Sequence, residues 1–169
     1  MTCIYSNLAA TLGTPTEAGT LLGNYAQILG ALHAAAPQAE IVMFNIYNPL
    51  AVVPGLSGSD LLLTQYVNPA IAQLAASFSA RVADTFDAIN HNPSSALTSE
   101  TASVCALTWM CSSYVNIHPT DLGYEAMDGA LQDALYCGHG RAQTFLATVV
   151  SDSAALGVCG RSAGRSANR

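Results

Sequence analysis

A histidine–proline pair lies in the segment of this sequence best suited to chemistry, "YVNIHPTDLGYEAM" at positions 114–127. Pro119 restricts the backbone and biases His118 toward an extended conformation, while Thr120 or Asp121 can cap the helix that follows. The imidazole would be presented from a loop at the end of a sheet, where open α/β sheets bind ligands. Because imidazoles titrate near neutral pH, His118 is a candidate general base. The alternative is an ordinary loop-to-helix junction.

The composition indicates one globular domain with few charges. Of the 169 residues, 51% are hydrophobic and 9% are charged, and no apolar run is long enough for a membrane span. There is no lysine, and Arg81 is the one basic residue among residues 1–140, which hold ten acidic residues and therefore a net charge of −9. Such a surface repels phosphate backbones, which argues against a nucleic-acid partner. The arginines after position 140 predict a solvated tail, with a basic binding patch as the alternative.

Five cysteines bear on the compartment of the protein. Cys105 and Cys111 enclose the short segment "CALTWMC", a spacing that suits a local disulfide and hence a secreted protein. The close cysteine pairs and matching histidines of a zinc site are absent. Since the number is odd, at least one of Cys3, Cys137 and Cys159 is unpaired or pairs outside the chain. The N-terminus nevertheless shows no signal peptide, which predicts that an upstream segment is missing.

The first half of the chain predicts two helices and a strand between them. Apolar positions recur every three or four residues after Thr20, and Pro37 should end this helix. The run "IVMFNIYNP" at 41–49 is apolar at nearly every position, as expected of a strand covered on both faces in a parallel sheet. A second helix is predicted with Asp60 as its cap and with a kink or restart at Pro69.

The second half predicts a strand, a long loop and a helix. The segment "ARVADTFDAI" at 80–89 is a predicted strand, and residues 90–118 are a predicted loop without periodicity. The predicted inner face of a helix at 120–136 is Tyr124, Met127, Leu131 and Leu135. This order of elements predicts an α/β fold with a parallel sheet. Because two strands cannot cover three helices, either the N-terminal twenty residues or the tail supplies more strands, or the chain is the second half of a larger α/β domain.

The block around His118 resembles the closing block of the SGNH, or GDSL, hydrolases, in which an Asp-x-x-His-Pro segment carries the catalytic base. The segment "GALHAAAPQAEIVMFNIYNPL" at 30–50 resembles the helix and fourth strand of secreted actinobacterial-type members. The segment "NPAIAQLAASFSARVADTFDAI" at 68–89 is similar to their next helix and fifth strand, and "CALTWMC" is similar to the disulfide loop before the histidine. The resemblance covers residues 5–136.

This resemblance implies a three-layer α/β/α fold around a parallel sheet, here without its N-terminal strands. Residues 1–136 would form the partial domain, and residues 137–169 an atypical tail that need not be ordered. The implied activity is hydrolysis of a lipid or other acyl ester by a serine nucleophile, with His118 as general base. The resemblance also implies a secreted protein that needs no cofactor or metal.

The nucleophile and the oxyanion donors of the family are not found in this chain. The Gly-Asp-Ser block is absent, and "GSDL" at 58–61 has these letters in another order and in a loop after the fourth strand. The Gly-x-Asn-Asp block is also absent, and both blocks normally precede the point where this chain begins. The segment "GRSAG" at 160–164 matches the Gly-x-Ser-x-Gly elbow. However, too few residues follow it for the helix that the elbow needs, and Ser162 comes after the histidine.

The residue that orients the base also departs from the pattern. Val115 occupies the position of the acid, three residues before His118, and the nearest polar residue is Asn116. An amide cannot stabilise an imidazolium as a carboxylate does, but its oxygen can accept the Nδ1 proton and set the tautomer. Asp84 and Asp87 could also orient a base, or could be ordinary charges at a strand end.

The remaining candidates have bland alternatives. Trp109 and Tyr114 could line an acyl pocket near His118, or could equally anchor the long loop. Three further histidines have no matching ligands nearby, so a metal site is not predicted; they are His33, His91 and His139.

Two functions therefore follow from the sequence. The first is a serine-type ester hydrolase represented by its C-terminal part, which would be a poor esterase in isolation because its nucleophile is missing. The second is a non-catalytic, truncated or degenerate hydrolase that associates through an exposed sheet edge, as a homo-oligomer or with a missing segment. A redox or metal module built on the cysteines is the remaining alternative.

Overall fold

The described part of the molecule is a mixed α/β structure. The computed structural model describes residues 12–56, 59–92, 97 and 99–136. Its helices are α1 Leu21–Ala35, α2 Ser59–Leu62, α3 Asn68–Ser77, α4 Glu100–Leu107 and α5 Asp121–Tyr136. π-helical segments at Leu63–Val67 and Asp87–His91 and 3₁₀ turns at Pro49–Val52 and Trp109–Cys111 complete the order. The predicted tail at 137–169, with Cys137, His139, Cys159 and Ser162, lies outside the described residues, as do Cys3 and Gly58.

Two short parallel strands form the sheet. β1 is Val42–Phe44 and β2 is Arg81–Ala83, paired in register from Val42 opposite Arg81 to Phe44 opposite Ala83. The parallel pairing agrees with the α/β prediction. Both strands are shorter than predicted, because side chains form hydrogen bonds with main-chain groups just after each strand ends.

The end of β2 corrects the predicted strand at 80–89. After Ala83 the chain turns into a helical segment, because the Asp84 carboxylate accepts the Asp87 N–H at 3.0 Å. The N–H of Phe86 donates to Asn45 Oδ1 at 3.0 Å. Phe86 and Ile89 are buried as predicted, but they project from this helical segment. The apolar pattern found the buried positions and assigned the wrong element.

The predicted loop at 90–118 also contains regular structure. Helix α4 occupies Glu100–Leu107, and Ser99 caps it by accepting the Ala102 N–H at 3.2 Å. Thr108 then caps the 3₁₀ turn Trp109–Cys111 through the N–H of Met110. The prediction of an unstructured loop was therefore wrong from residue 99 to residue 111.

Helices α1 and α3 agree with the prediction better than α2 does. α1 begins after Thr20, whose hydroxyl accepts the Gly23 N–H at 3.2 Å, and it ends at Ala35 before the proline. Pro69 lies in the first turn of α3 and follows a wide π-helical turn, which gives the predicted restart a concrete form. Asp60, predicted as a cap, instead lies inside the first turn of α2 and accepts a hydrogen bond from Asn48.

Helix α5 buries the predicted face in part: Met127, Leu131 and Leu135 are half-buried, but Tyr124 is not. Tyr124 is 56% exposed, whereas Gly123 and Ala134 are buried. Gly123 is required because a Cβ at this position would lie 2.0 Å from the Leu107 carbonyl oxygen. This close approach packs the first turn of α5 against the end of α4, and Tyr124 faces outward as a result.

The hydrophobic core lies on both sides of the strands. One cluster joins α1, β1 and α3, with Leu29 and Ile71 almost completely buried. On the other side, β2 contacts α5, and Val104 of α4 is fully buried. The Arg81 guanidinium donates to the Ala134 carbonyl at 2.8 Å and to the next carbonyl at 2.6 Å, so β2 also caps the end of α5.

Candidate functional site

Main-chain hydrogen bonds hold the His118 loop, defined here as residues 112–120, against the end of α4. The N–H of Trp109 donates to the His118 carbonyl at 3.0 Å, and the N–H of Asn116 donates to the Trp109 carbonyl at 3.2 Å. Thr108 and Pro119 form an antiparallel bridge. The loop therefore has a defined path although its side chains are mostly exposed.

A disulfide closes the structure that supports this loop. Cys105 in α4 is bonded to Cys111 in the 3₁₀ turn, the pair that the sequence predicts. Trp109, which makes two of the main-chain bonds to the loop, lies inside the closed ring. The disulfide thus fixes the backbone on which the His118 loop is held.

The imidazole of His118 is paired with the side chain of Asn116. His118 Nδ1 lies 2.5 Å from Asn116 Oδ1, and the same oxygen accepts the main-chain N–H of His118 at 2.9 Å. A main-chain N–H is always a donor, so the Asn116 atom that it meets is the oxygen. Nδ1 must then carry the proton, which leaves the Nε2 lone pair available. Nε2 has no hydrogen-bond partner among the described residues.

Val115 adopts a backbone conformation that is rare for its residue type. Its φ is +44°, in the left-handed region that β-branched side chains strongly disfavour. Such a conformation costs on the order of 1–3 kcal/mol and is found at functional sites and turns. Val115 is 68% exposed, so packing of its side chain does not explain the conformation. The turn places Asn116 Oδ1 next to the imidazole. Val115 has no polar side-chain group that could make this contact.

A tyrosine from the other half of the sequence also contacts the loop. The hydroxyl of Tyr47, just beyond β1, donates to the Ile117 carbonyl at 2.8 Å. Burial raises the pKa of Tyr47, and the neighbouring Tyr124 raises it further. This contact was not predictable from the sequence, since the two residues are 70 positions apart.

Three large apolar residues of the His118 loop and the preceding 3₁₀ turn are exposed. Trp109 is 45% exposed and Tyr114 is 81% exposed, and Ile117 on the same loop is 53% exposed. The main chain of Trp109 bonds to the loop.

No described serine hydrogen-bonds His118. Ser59, in the "GSDL" segment, instead donates to the Leu56 carbonyl at 2.6 Å and accepts from Asn48 at 2.8 Å. Ser112, the nearest serine in sequence, donates to the Trp109 carbonyl at 2.7 Å. These two serine hydroxyls are therefore engaged elsewhere in the described part of the chain.

The other acidic and histidine candidates lie away from His118. Asp84 accepts a hydrogen bond from Asn45 Nδ2 at 2.9 Å, so it stabilises the ends of the two strands rather than the base. Asp87 lies 3.5 Å from His91 Nδ1 in the same helical segment. His33 is exposed on α1. Among the described residues, no group of three histidine, cysteine or acidic side chains could hold a metal ion.

A second polar cluster, the asparagine network, consists of Asn48, Ser59, Asp60, Asn90 and Glu100. Asn90 accepts the main-chain N–H of Asn48 at 2.9 Å and donates to its carbonyl at 3.0 Å. Its amide also donates to Glu100 at 2.6 Å, while the Asn48 amide donates to Asp60 at 2.5 Å. Burial raises the pKa of Glu100, and the Asp60 carboxyl raises it further.

The asparagine network was not predicted from the sequence, because asparagines in a polar segment predict turns and not buried hydrogen-bond partners.

Comparisons with protein-family models, curated proteins and solved structures found no match to this chain. None of the helices within the described ranges is long and apolar enough to cross a membrane.

Proposed function

We propose that this chain is part of a serine-type ester hydrolase of the SGNH class, with His118 as general base. The observation that carries the proposal is the pairing of His118 Nδ1 with Asn116 Oδ1, which leaves Nε2 as the basic nitrogen. A base in a serine hydrolase needs this tautomer, because Nε2 must remove the proton of the attacking hydroxyl. The exposed apolar residues beside it suit a lipid or other acyl ester.

In this proposal, a serine from outside the described residues attacks the ester carbonyl carbon while His118 Nε2 takes its Oγ proton. The tetrahedral intermediate then breaks the bond to the leaving alkoxide, which receives that proton and departs as an alcohol. Water hydrolyses the acyl-serine by the same proton transfers in reverse order. Asn116 sets the tautomer but adds no negative charge, so it stabilises the imidazolium less than an aspartate would.

The same proposal extends to the fold and the compartment. Further parallel strands would flank β1 and complete a three-layer α/β/α arrangement around the two strands described here. The Cys105–Cys111 disulfide supports a secreted location, since such bonds persist in oxidising compartments.

Turnover of p-nitrophenyl acetate tests the function. We expect slow turnover by this chain and faster turnover by the longest open reading frame that contains it. His118→Ala should reduce the latter by at least about a thousandfold, whereas His33→Ala, at an exposed helical histidine, should not change it. Turnover of the longer protein that is insensitive to His118→Ala would refute the proposal. Fast turnover by this chain, blocked by a serine-directed phosphonate, would show instead that the nucleophile lies within it.

The outer edge of β1 favours a second candidate function, association through the sheet. Because Arg81 N–H bonds the Ile41 carbonyl and Asn45 N–H bonds the Ala83 carbonyl, residues 41 and 45 face β2. Alternation directs the peptide groups of Val42 and Phe44 to the other edge, where no described residue pairs with them. Phe44 is also 41% exposed.

Sedimentation velocity tests this association. We expect a species larger than a monomer, and we expect Phe44→Lys to shift it toward monomer because a charge at a strand edge opposes pairing. Leu61→Lys, at an exposed residue on α2, is the matched control. A compact monomer at all concentrations would rule out the second candidate.

A further inference from the structure

Two asparagines hold the backbone on both sides of Tyr47. Asn68 Oδ1 accepts the N–H of Ile46 at 3.0 Å, and its Nδ2 donates to the carbonyl of the same residue at 2.9 Å. Asn90 makes the same pair of bonds with Asn48, at 2.9 and 3.0 Å. Each side-chain amide therefore replaces a neighbouring strand. Tyr47 projects from a segment whose main-chain donors and acceptors are satisfied immediately before and after it.

The hydroxyl of Tyr47 forms a hydrogen bond with the peptide group that contains the His118 N–H. It donates to the Ile117 carbonyl at 2.8 Å, and this oxygen and the His118 nitrogen belong to one planar peptide unit. Fixing the oxygen therefore fixes the direction of the N–H. That N–H donates to Asn116 Oδ1 at 2.9 Å, and the same oxygen contacts His118 Nδ1.

We infer that Tyr47 is a positioning residue for His118, acting through the Ile117–His118 peptide plane and Asn116. The role of the imidazole as a base rests on the proposed function, but its positioning does not require a substrate. A tyrosine hydroxyl is protonated at neutral pH, and burial raises the pKa of Tyr47 further, so the hydroxyl remains a donor. The backbone held by the two asparagines then becomes a rigid support that connects the end of β1 to the histidine.

The tautomer of His118 in Tyr47→Phe tests the inference. Phenylalanine keeps the ring and removes only the hydroxyl. We expect ¹⁵N NMR of the imidazole to show the Nδ1–H tautomer in the wild-type protein. In Tyr47→Phe, the ratio of the Nδ1–H to the Nε2–H tautomer should fall about fivefold, the effect of one net hydrogen bond.

Tyr114→Phe is the matched control, since it removes a hydroxyl from an 81% exposed ring on the same loop. It should leave the tautomer ratio unchanged. An unchanged ratio in Tyr47→Phe, or equal changes in both variants, would overturn the inference.

If Tyr47→Phe did not fold, an alkaline titration of the wild-type protein would provide the same test. Deprotonation of Tyr47 removes the donor, so the His118 nitrogen shifts should change together with the Tyr47 ring signals. His118 nitrogen shifts that stayed constant while Tyr47 lost its proton would contradict the positioning role. None of these spectra depends on turnover, so a protein without esterase activity could still confirm the positioning, and an active one could still refute it.

Discussion

The asparagine network and the His118 loop lie on either side of Tyr47 and are stabilised in opposite ways. In the network the two asparagine side chains are buried, with Asn48 1% and Asn90 0% exposed, and they bond to the main chain and to half-buried polar neighbours. In the loop the main chain makes the bonds and the side chains are exposed. The first region depends on the identity of its side chains for stability. The second leaves its side chains available for chemistry.

This difference predicts unequal responses to substitution. Removing a buried amide leaves main-chain groups without partners, and each such group costs roughly 1–3 kcal/mol. Exposed polar pairs contribute at most about 1 kcal/mol because water competes for them. Changes in the network should therefore alter the free energy of unfolding, whereas changes in the loop should mainly alter His118.

Asn90→Ala should have the largest effect. It removes both bonds to the main chain of Asn48 and the bond to Glu100. We expect a loss of about 3 kcal/mol in the free energy of unfolding, measured by urea denaturation. Asn24→Ala, at an exposed position of α1, is the control and should cost less than about 1 kcal/mol. A loss below about 1 kcal/mol in Asn90→Ala would show that the network is not a main source of stability.

Opening the disulfide should have the next largest effect and should act on the loop. Cys105 and Cys111 are separated by six positions, and closing so short a loop stabilises a protein by about 2 kcal/mol in the chain-entropy model. We expect the double variant Cys105→Ser, Cys111→Ser to lose that amount.

Hydrogen exchange should locate the effect of the double variant. The N–H groups of Trp109 and Asn116, which join the loop to the 3₁₀ turn, should exchange faster relative to the N–H of Asn48. Equal acceleration at all three sites would mean that the disulfide stabilises the whole fold and has no particular role at the His118 loop.

The sequence predicted the elements that carry periodic apolar residues and missed those defined by polar contacts. Helix α1 and the buried positions Phe86 and Ile89 followed from the hydrophobic pattern, because buried positions carry apolar residues. The early ends of both strands did not follow from this pattern, because they depend on a hydrogen bond between the side chains of Asn45 and Asp84. A single sequence does not show which asparagine will be buried.

The candidate site divides in the same way. The pairing of His118 with Asn116 was predictable because the two residues are two positions apart and a short side chain there can reach the ring. The contact with Tyr47 was not, because it depends on the tertiary fold. Helix α4 was missed because its eight residues give no clear apolar face, although Ser99 could have indicated its start.

Glu100→Gln should have a smaller, pH-dependent effect. Burial first, and then the Asp60 carboxyl, raise the pKa of Glu100 above its usual 4.5, while Asn90 and His91 oppose the shift. His91 is itself paired with Asp87. The folded protein therefore holds this proton more tightly than the unfolded chain. The resulting stability is fully present below about pH 4.5 and is lost as the pH rises through the raised pKa.

Glutamine resembles the protonated carboxyl and does not titrate. The wild-type protein should lose stability relative to Glu100→Gln as the pH rises above about 4.5, by less than about 1 kcal/mol because Glu100 is partly exposed and solvent screens its charge. Urea denaturation at several pH values measures this difference. In an Asp60→Asn background the pH dependence should weaken, since the neighbouring carboxyl is gone. A constant difference across this pH range would contradict a raised pKa of Glu100 as the cause.

Asn116→Asp should have the smallest effect on stability and the most informative effect on the histidine. Aspartate keeps an oxygen for the His118 N–H and places a carboxylate beside Nδ1. The carboxylate is a stronger acceptor for the Nδ1 proton, so the ratio of the Nδ1–H to the Nε2–H tautomer, measured by ¹⁵N NMR, should rise relative to wild type. Because the loop is exposed, the coupling should be only about 0.5 kcal/mol. Asn24→Asp, which introduces the same charge on α1, should leave the tautomer ratio unchanged. Asn48→Asp in the buried network should instead destabilise the fold by several times that energy, since it places a second carboxylate in a buried position beside Asp60. If Asn116→Asp were as destabilising as Asn48→Asp, the loop would depend on its side chains as the network does, and the availability of His118 for chemistry would lose its structural basis.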